Sequence, residues 1–246
     1  MRFGMDELMK RFKRAVSSHQ LIDDEQPILV GLSGGKDSIL LLHALHLFLP
    51  VSKYKYRLAA GHVALGFAGE DSRPLAAYCE SLGIPFFEEK SNIAEIVFEA
   101  RKESSPCSLC AKMRRGALNS LAKKHGFNKI ALGHHQDDVL ETLLLRTFFE
   151  GRIGSFNPRT YLDRMDVTVI RPFVYVPEDL IRYCVKKLNL PVTQSCCPAN
   201  GYTKREDMKD IVRKIASLTP HARDRASHAL DACFGLRWDG KKEEEQ

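Results

Sequence analysis

The stretch "ILVGLSGGKDSILLLHAL", residues 28–45, joins two apolar runs through a glycine-rich loop. The first run, residues 28–32, is short and leads into glycines, which predicts a buried strand. The second run, residues 38–49, is long enough for a helix and stops before Pro50. A strand, a tight loop and a helix in this order put the loop at the positive end of the helix dipole, where phosphate groups bind.

The loop itself reads Ser33-Gly34-Gly35-Lys36-Asp37-Ser38. Successive backbone N–H groups from Gly34 to Lys36 can form an anion cradle, and glycine lets the backbone approach a ligand closely. The Walker pattern of P-loop nucleotide hydrolases is absent, because Asp37 stands where that pattern has serine or threonine. The sequence therefore predicts a phosphate site of another class.

Strands and helices alternate along most of the chain, which predicts an α/β fold with a parallel sheet and helices on both faces. Further strands are predicted at residues 58–64, 85–88, 129–132 and 167–170. Helices are predicted at residues 1–18, 74–82, 92–102, 110–125, 137–149 and 177–188, and from residue 204 onward. We divide the chain into an N-terminal amphipathic helix (1–24), a nucleotide-binding domain with an inserted cysteine segment (25–190) and a C-terminal cysteine loop with a helical tail (191–246).

The composition favours a globular cytoplasmic protein with no membrane partner. The chain has 246 residues, of which 44% are hydrophobic, enough for a sizeable core. Its longest apolar run, residues 39–49, is too short to cross a membrane, and the first residues have no secretory apolar core. Seven cysteines make an odd number for a disulfide framework, so metal or redox use is expected instead.

The charge balance is mildly basic, with 37 Lys and Arg against 31 Asp and Glu and a net charge of +6. A basic solvated surface and a polyanionic partner both fit this excess. The basic residues occur in groups, including Arg114 and Arg115 and, farther on, Arg152. These groups favour a nucleic-acid partner, although a solvated helix face is an equal alternative for each arginine.

A second informative stretch is "KIALGHHQDDVLETLLL", residues 129–145. The strand predicted here ends at Gly133, so His134, His135 and the pair Asp137-Asp138 stand at its carboxyl end. In parallel sheets, ligands bind outside the carboxyl ends of the strands. The adjacent acids can bind Mg²⁺ or cap the following helix.

The cysteines fall into two groups. Cys107 and Cys110 form a C-x-x-C pair, which can grip a metal or cluster, act as a redox dithiol or be accidental. Cys196 and Cys197 lie far downstream in a loop that ends at a proline. The other three, Cys79, Cys184 and Cys233, sit in helical apolar patterns and are expected in the core.

The phosphate loop resembles the signature of the PP-loop ATP pyrophosphatases. That resemblance implies cleavage of ATP between its α and β phosphates, transfer of AMP to a substrate oxygen and release of pyrophosphate. It implies that residues 33–38 bind ATP and that Asp37 helps to hold Mg²⁺. It does not choose the substrate.

The chain also resembles one branch of that superfamily, the tRNA 2-thiocytidine synthetases. The matching pieces are "GLSGGKDS", "CSLCAKMRRGAL", "KIALGHHQDDVLETLLL", "FFEGRIGSFNPR" and "VIRPFVYVPEDLIRYC", which occur in this order over roughly residues 28–190. The resemblance implies adenylation of a cytidine C2 oxygen in the anticodon loop and its replacement by sulfur. It implies tRNA as substrate, a cysteine desulfurase or sulfide as sulfur donor, and a possible homodimer.

The same resemblance implies a set of site residues. Three cysteines hold a [4Fe–4S] cluster with one open iron; Cys107 and Cys110 match two of them, and Cys197 matches the third, with Cys196 as the alternative. The expected catalytic residues are Asp37 and Asp138. The expected ATP-binding residues are Ser33, Gly34, Gly35, Lys36, Asp37, Ser38, Gly133, His134 and Asp138, with adenine near His62 and Val63. The expected tRNA-binding residues are Arg114, Arg115 and Arg152. The stretch "HVALGFAGEDS", residues 62–72, lacks the acidic residue expected directly after the second strand.

Two other functions fit parts of the sequence. A PP-loop amine ligase, as in lysidine synthesis, or an amidotransferase-type synthetase would use the same loop but needs no set of three cysteines. A zinc-stapled RNA-binding module without catalysis would use the cysteines, since zinc accepts three or four of them. It would leave the phosphate loop and the Asp137-Asp138 pair without a role. Thiolate spacing alone does not distinguish iron from zinc.

Overall fold

Six strands form one sheet in the part of the chain that the computed structural model describes, residues 2–100, 106–193, 196–198, 204–219 and 221–239. The strands are β1 (Ile28–Gly31), β2 (Leu58–Ala64), β3 (Phe86–Lys90), β4 (Lys129–Ala131), β5 (Arg159–Leu162) and β6 (Val167–Ile170). Their order across the sheet is β3-β2-β1-β4-β6-β5, and the first five strands in that order run parallel. The predicted α/β class with a parallel sheet is confirmed.

The strand order reverses between β1 and β4. From β1 the chain proceeds outward through β2 and β3 on one side, and β4 returns to pair with the opposite edge of β1. At such a reversal the loops after the two neighbouring strands diverge and leave a crevice beyond their carboxyl ends. The loops after β1 and β4 are the two that carry the polar motifs.

The helices cover both faces of the sheet. They are α1 (Arg2–Ser18), α2 (Lys36–Phe48), α3 (Arg73–Ser81), α4 (Pro106–Lys124), α5 (Gln136–Glu150), α6 (Glu178–Leu188), α7 (Lys204–Leu218) and α8 (Ala222–Phe234). Successive residues of β1 point to opposite faces: Ile28 and Val30 pack with α1, α2 and α6, whereas Leu29 packs toward α4. A central strand buried on both faces reads as the continuous apolar run seen in the sequence.

The terminal helices share the main core. Leu8 and Phe12 of α1 lie in the same buried cluster as α2 and α6, and Leu230 of α8 and Trp238 belong to it as well. Helices α7 and α8 also pack on α5. The division of the chain at residues 24 and 190 stays a prediction.

Three local predictions were wrong. Strand β5 was missed, because it is a short, half-exposed edge strand that pairs antiparallel with β6 and has no apolar alternation. Helix α4 already includes Pro106 and Cys107, which lie before the predicted start at Cys110. The helix predicted over residues 92–102 contains a π-helical turn at Glu95–Ala100, and its last two residues lie outside the described part of the chain. The spacing of apolar residues did not distinguish an α-helix from a π-helical turn here. Val97 is buried in the observed turn, as it would be in the predicted α-helix.

The core cysteines were predicted correctly at two of three positions. Cys79 and Cys184 are buried, and burial raises the pKa of both thiols. Cys233 is exposed near the end of α8, so the expectation of a core position was wrong there. Its helical pattern did not show which face α8 turns to the protein.

Among the described residues, no helix has the length and apolar character needed to span a membrane.

Candidate nucleotide and cysteine site

Two serine hydroxyls hold the phosphate loop in shape. Ser38 donates its hydroxyl to the carbonyl of Gly35 (3.0 Å), and the N–H of Ser33 donates to Ser38 Oγ (3.1 Å). The Ser33 and Ser38 hydroxyls are also 3.0 Å apart. Gly34 adopts φ +83°, a left-handed conformation that favours glycine. These contacts fix the loop directly before Lys36, the first residue of α2. The dipole of this helix attracts anions to its first turn.

Two other segments lie against this loop. A Cβ on Gly133, just after β4, would stand 2.9 Å from the backbone carbonyl carbon of Asp37, so only glycine allows the approach. On the other side, the N–H of Thr193 donates to the carbonyl of Gly34 (3.0 Å). Thr193, three residues before Cys196, is thus hydrogen-bonded to the phosphate loop.

A histidine connects the two predicted catalytic carboxylates. His135 Nε2 lies 3.8 Å from Asp37 Oδ1, and His135 Nδ1 lies 3.4 Å from Asp138 Oδ2. His135 and Asp138 also form a reciprocal cap at the start of α5, in which each side chain accepts a hydrogen bond from the other residue's backbone. The structure therefore brings Asp37 and Asp138 together. The position of His135 after β4 was predicted from the sequence, but its contact with both carboxylates was not.

The carboxylates fit a magnesium ion. Asp37 Oδ2 pairs with Lys36 Nζ at 3.0 Å. Asp37 Oδ1 is buried and has no hydrogen-bond partner among the described residues. The carboxylates of Asp37 and Asp138 lie on either side of the His135 ring. A hard cation takes oxygen ligands of this kind and usually completes its shell with phosphate oxygens and water.

Asp137 has a different role from its neighbour. Its Oδ2 accepts the backbone N–H of Glu178 (2.8 Å), and its Oδ1 accepts Arg223 Nε (2.7 Å). Both partners lie on other helices, and the side chain is almost fully buried. Asp137 therefore holds α6 and α8 against α5, while Asp138 faces the cavity.

A cavity of about 360 Å³ lies beyond the carboxyl ends of β1, β2 and β4. Helix α4 forms its remaining wall. The cavity is lined by Gly31, Leu32, Ser33, Asp37, Ser38, Gly61, Val63, Ala111, Arg114, Arg115, Leu118, Leu132, Gly133, His134 and Asp138. Seven of the predicted ATP-binding residues are in this lining, and Gly34, Gly35, Lys36 and His62 are not. The space combines apolar walls with a few polar groups, as nucleotide sites do.

His62 and Glu70 support the loop after β2. His62 is buried, and its Nδ1 lies 2.8 Å from the Leu32 carbonyl, so it ties β2 to β1 beside the cavity. The Glu70 carboxylate accepts the backbone N–H groups of Leu65 and Gly66 at 2.8 and 2.9 Å. Glu70 therefore brings a carboxylate back to the end of β2, directly after which the sequence has no acidic residue. A left-handed turn at Gly66 (φ +88°) lets the chain fold back.

Three cysteine thiols lie near one another at the start of α4. Cys107 and Cys110 occupy its first turns, and Cys197 approaches from the downstream loop. Burial raises the pKa of the Cys110 thiol, the Arg114 charge lowers it, and the thiols of Cys197 and Cys107 raise it further. Cys196 is exposed. Within the described ranges, no three ligating side chains converge on a single ion, whereas a four-iron cluster binds each cysteine to a different iron.

The three predicted tRNA-binding arginines lie in different surroundings. Arg114 faces the cavity between Cys110 and Glu70, and burial lowers its pKa. Arg115 also reaches the cavity rim but is exposed to solvent. Arg152 lies beyond the end of α5, where it pairs with Glu150, and it does not line the cavity.

Known proteins first show the structural class to which this chain belongs. The PP-loop domain family matches residues 5–195, and the loop, the carboxylates and the cavity all lie within that match. Among solved structures, the U34-tRNA thiolase NcsA from Methanococcus maripaludis, determined with its [4Fe–4S] cluster, has the same fold. It superposes with a TM-score of 0.76 at 21% identity, over 98% of this chain and 85% of that one.

Curated relatives define the family within this class. The tRNA-cytidine(32) 2-sulfurtransferase of Geobacter metallireducens is 39% identical over 88% of this chain and 86% of its own length. That of Geotalea daltonii is 38% identical over 92% of both chains. The chain belongs to the tRNA-cytidine(32) 2-sulfurtransferase family of PP-loop proteins.

Proposed function

We propose that this protein is an ATP-dependent tRNA sulfurtransferase that replaces the C2 oxygen of cytidine 32 with sulfur, as its relatives' name describes. One observation carries the proposal: helix α4, which lines the cavity with Arg114 and Leu118, carries Cys107 and Cys110 in its first turns. A phosphate loop alone fits many PP-loop enzymes. A single helix that links the cavity beside this loop to a group of cysteines fits sulfur transfer.

In the first half-reaction, the cytidine C2 oxygen attacks the α-phosphorus of ATP. A bond forms between that oxygen and phosphorus, the α–β phosphoanhydride bond breaks, and pyrophosphate leaves. Asp37 and Asp138 would hold Mg²⁺ on the phosphates and offset the negative charge that develops there. The apolar wall around Val63 and Leu118 would bind adenine.

In the second half-reaction, sulfur at the sulfide oxidation level attacks C2, and AMP leaves with the former base oxygen. With free sulfide as the donor, the step has no net change in oxidation state and needs no oxidant or reductant. A persulfide from a cysteine desulfurase would first have to be reduced to the sulfide level by two electrons from an added thiol reductant. Arg114 faces the cavity beside Cys110, where its positive charge would stabilise the departing phosphate group. The base must leave its stack in the anticodon loop to reach this point.

The cysteines Cys107, Cys110 and Cys197 would hold a [4Fe–4S] cluster. When bound, such a cluster supplies an iron without a protein ligand that can carry sulfur. The sulfur donor, a cysteine desulfurase or free sulfide, and the oligomeric state stay predictions.

Two measurements test the proposed function. Nucleosides from tRNA of cells lacking this protein should contain no 2-thiocytidine, and the gene should restore it. Purified protein should release AMP and pyrophosphate in a tRNA-dependent manner; ADP and phosphate as products would contradict the PP-loop chemistry. Asp37→Asn should lower turnover at least about a hundredfold with little change in the unfolding temperature, since Oδ1 has no hydrogen bond to lose and the ion pair of Oδ2 with Lys36 is partly exposed to solvent. Asp179→Asn, at an exposed position on α6, is the matched control.

A further inference from the structure

Glu178, the first residue of α6, gathers several cations beside the phosphate loop. Its side chain is only 4% exposed, and its Oε1 lies 3.0 Å from Lys36 Nζ, 2.8 Å from Arg182 Nη2 and 3.3 Å from Lys209 Nζ. Arg213 Nη2 lies 3.9 Å from Oε2. One carboxylate therefore connects the loop lysine to two residues of α7.

Helix α7 is held in this position by its apolar side. Met208 and Val212 are buried one turn apart, and the helix packs on α5. Lys209 and Arg213 are also four residues apart, so the two cations lie one above the other on the helix. They form a stripe next to the one that carries Met208 and Val212. Packing, and not only the ion pairs, therefore directs these cations toward the loop.

The cluster carries more positive than negative charge. Burial by itself would raise the pKa of Glu178, but Lys36, Arg182 and Lys209 hold it at about 2, so the carboxylate stays ionised. Asp37 pairs with Lys36, and Asp210 pairs with Arg213 at 3.1 Å. Four cations thus share three carboxylates. Lys36 and Lys209 keep 26% and 22% of their side chains exposed, so a soluble anion can reach them.

We propose that Lys209 and Arg213 are phosphate-binding residues that hold the β- and γ-phosphates of ATP, together with Lys36. The inference rests on the proposed nucleotide site and extends it to a helix outside the PP-loop match, which ends at residue 195. Lys36 and Lys209 contact the same carboxylate oxygen, so an anion bound to the loop lysine lies within reach of α7. Glu178 positions these cations before the phosphates arrive.

The test compares three ligands on the full chain by calorimetry: magnesium pyrophosphate, ATP with Mg²⁺, and AMP. Lys209→Gln and Arg213→Gln should each weaken pyrophosphate and ATP binding about tenfold, since a charge-assisted contact is lost. AMP binding should not change. Lys214→Gln on the same helix is the matched control, because Lys214 is exposed and takes no part in the Glu178 cluster.

Each outcome has a definite meaning. Pyrophosphate binding that is unchanged in both variants, or equally weakened by Lys214→Gln, overturns the inference. Equal weakening of AMP also overturns it, because α7 then supports the whole site and not the phosphates. If the Gln variants unfold at a lower temperature, Lys209→Arg and Arg213→Lys must restore pyrophosphate binding. A wild-type protein that binds neither ATP nor pyrophosphate overturns the proposed nucleotide site itself.

Discussion

Cys196 and Cys197 are adjacent in the chain, yet their surroundings differ. Cys196 is exposed, whereas Cys197 is half-buried and close enough to Cys110 to raise the pKa of that thiol. Adjacent residues rarely direct both side chains to one centre. These surroundings favour Cys197 as the third cluster ligand.

Cys197→Ala should therefore lose the cluster and tRNA thiolation, and Cys196→Ala should retain both. Anaerobically reconstituted wild-type protein should contain about four irons per chain. Iron and sulfide analysis with visible absorption measures the outcome. Cys233→Ala, which removes an exposed thiol on α8, is the control. The reverse result would make Cys196 the ligand, and stoichiometric zinc in place of iron would favour the structural-metal alternative.

On the scale of a single helix, α4 serves both halves of the site. Its first turns carry Cys107 and Cys110, and the next turn carries Arg114 and Arg115. The neighbouring arginines point in directions about 100° apart, so one is enclosed at the cavity and the other meets solvent at the rim. The sequence grouped them as two equivalent RNA contacts.

The two arginines should therefore respond differently to substitution. Arg115→Ala should lower the slope of log Kd for tRNA against log salt by about one, because one phosphate contact is lost. Arg114→Ala should leave that slope nearly unchanged and lower turnover instead. Binding measured across salt concentrations, with turnover at saturating tRNA, separates the effects. Arg73→Ala, at an exposed pair on α3, is the control. Equal slopes in both variants would contradict the distinction.

On the scale of the whole molecule, a buried polar link joins the two ends of the chain. His19, just after α1, lies with its Nε2 2.7 Å from the Tyr175 hydroxyl, which donates to Asp231 of α8 at 2.8 Å. Trp238 packs against the His19 ring. Burial outweighs the attraction of Asp231 and lowers the pKa of His19 from 6.5 to about 4.

This link makes stability depend on pH. Because the folded-state pKa of His19 lies below its unfolded value, its contribution is complete above about pH 6.5 and is lost as the pH falls toward 4. Between pH 7 and pH 5 the free energy of unfolding should fall by about 2 kcal/mol more in the wild type than in His19→Gln. Urea unfolding at both pH values measures the difference, and a variant that keeps the full dependence would exclude His19 as its source.

Local patterns by themselves determined much of this protein. The apolar run, the glycine loop and the helix at residues 28–45 were predicted from neighbouring residues, and the alternation of elements predicted the parallel sheet. The phosphate loop, the C-x-x-C pair and the acidic pair after β4 were also identified in this way. Each of these signals depends on residues within a few positions of one another, so the sequence is enough to detect it.

Tertiary packing alone decided how these pieces meet. Glu70 folds back to the strand end, Asp137 turns away from the site that Asp138 faces, and Lys209 reaches Glu178 from another helix. The exposed edge strand β5 and the exposed Cys233 likewise carry no periodic signal. These positions depend on which helix face is buried and on contacts between residues far apart in the chain. Periodicity reports that a face is apolar, but only the packed structure determines what that face meets.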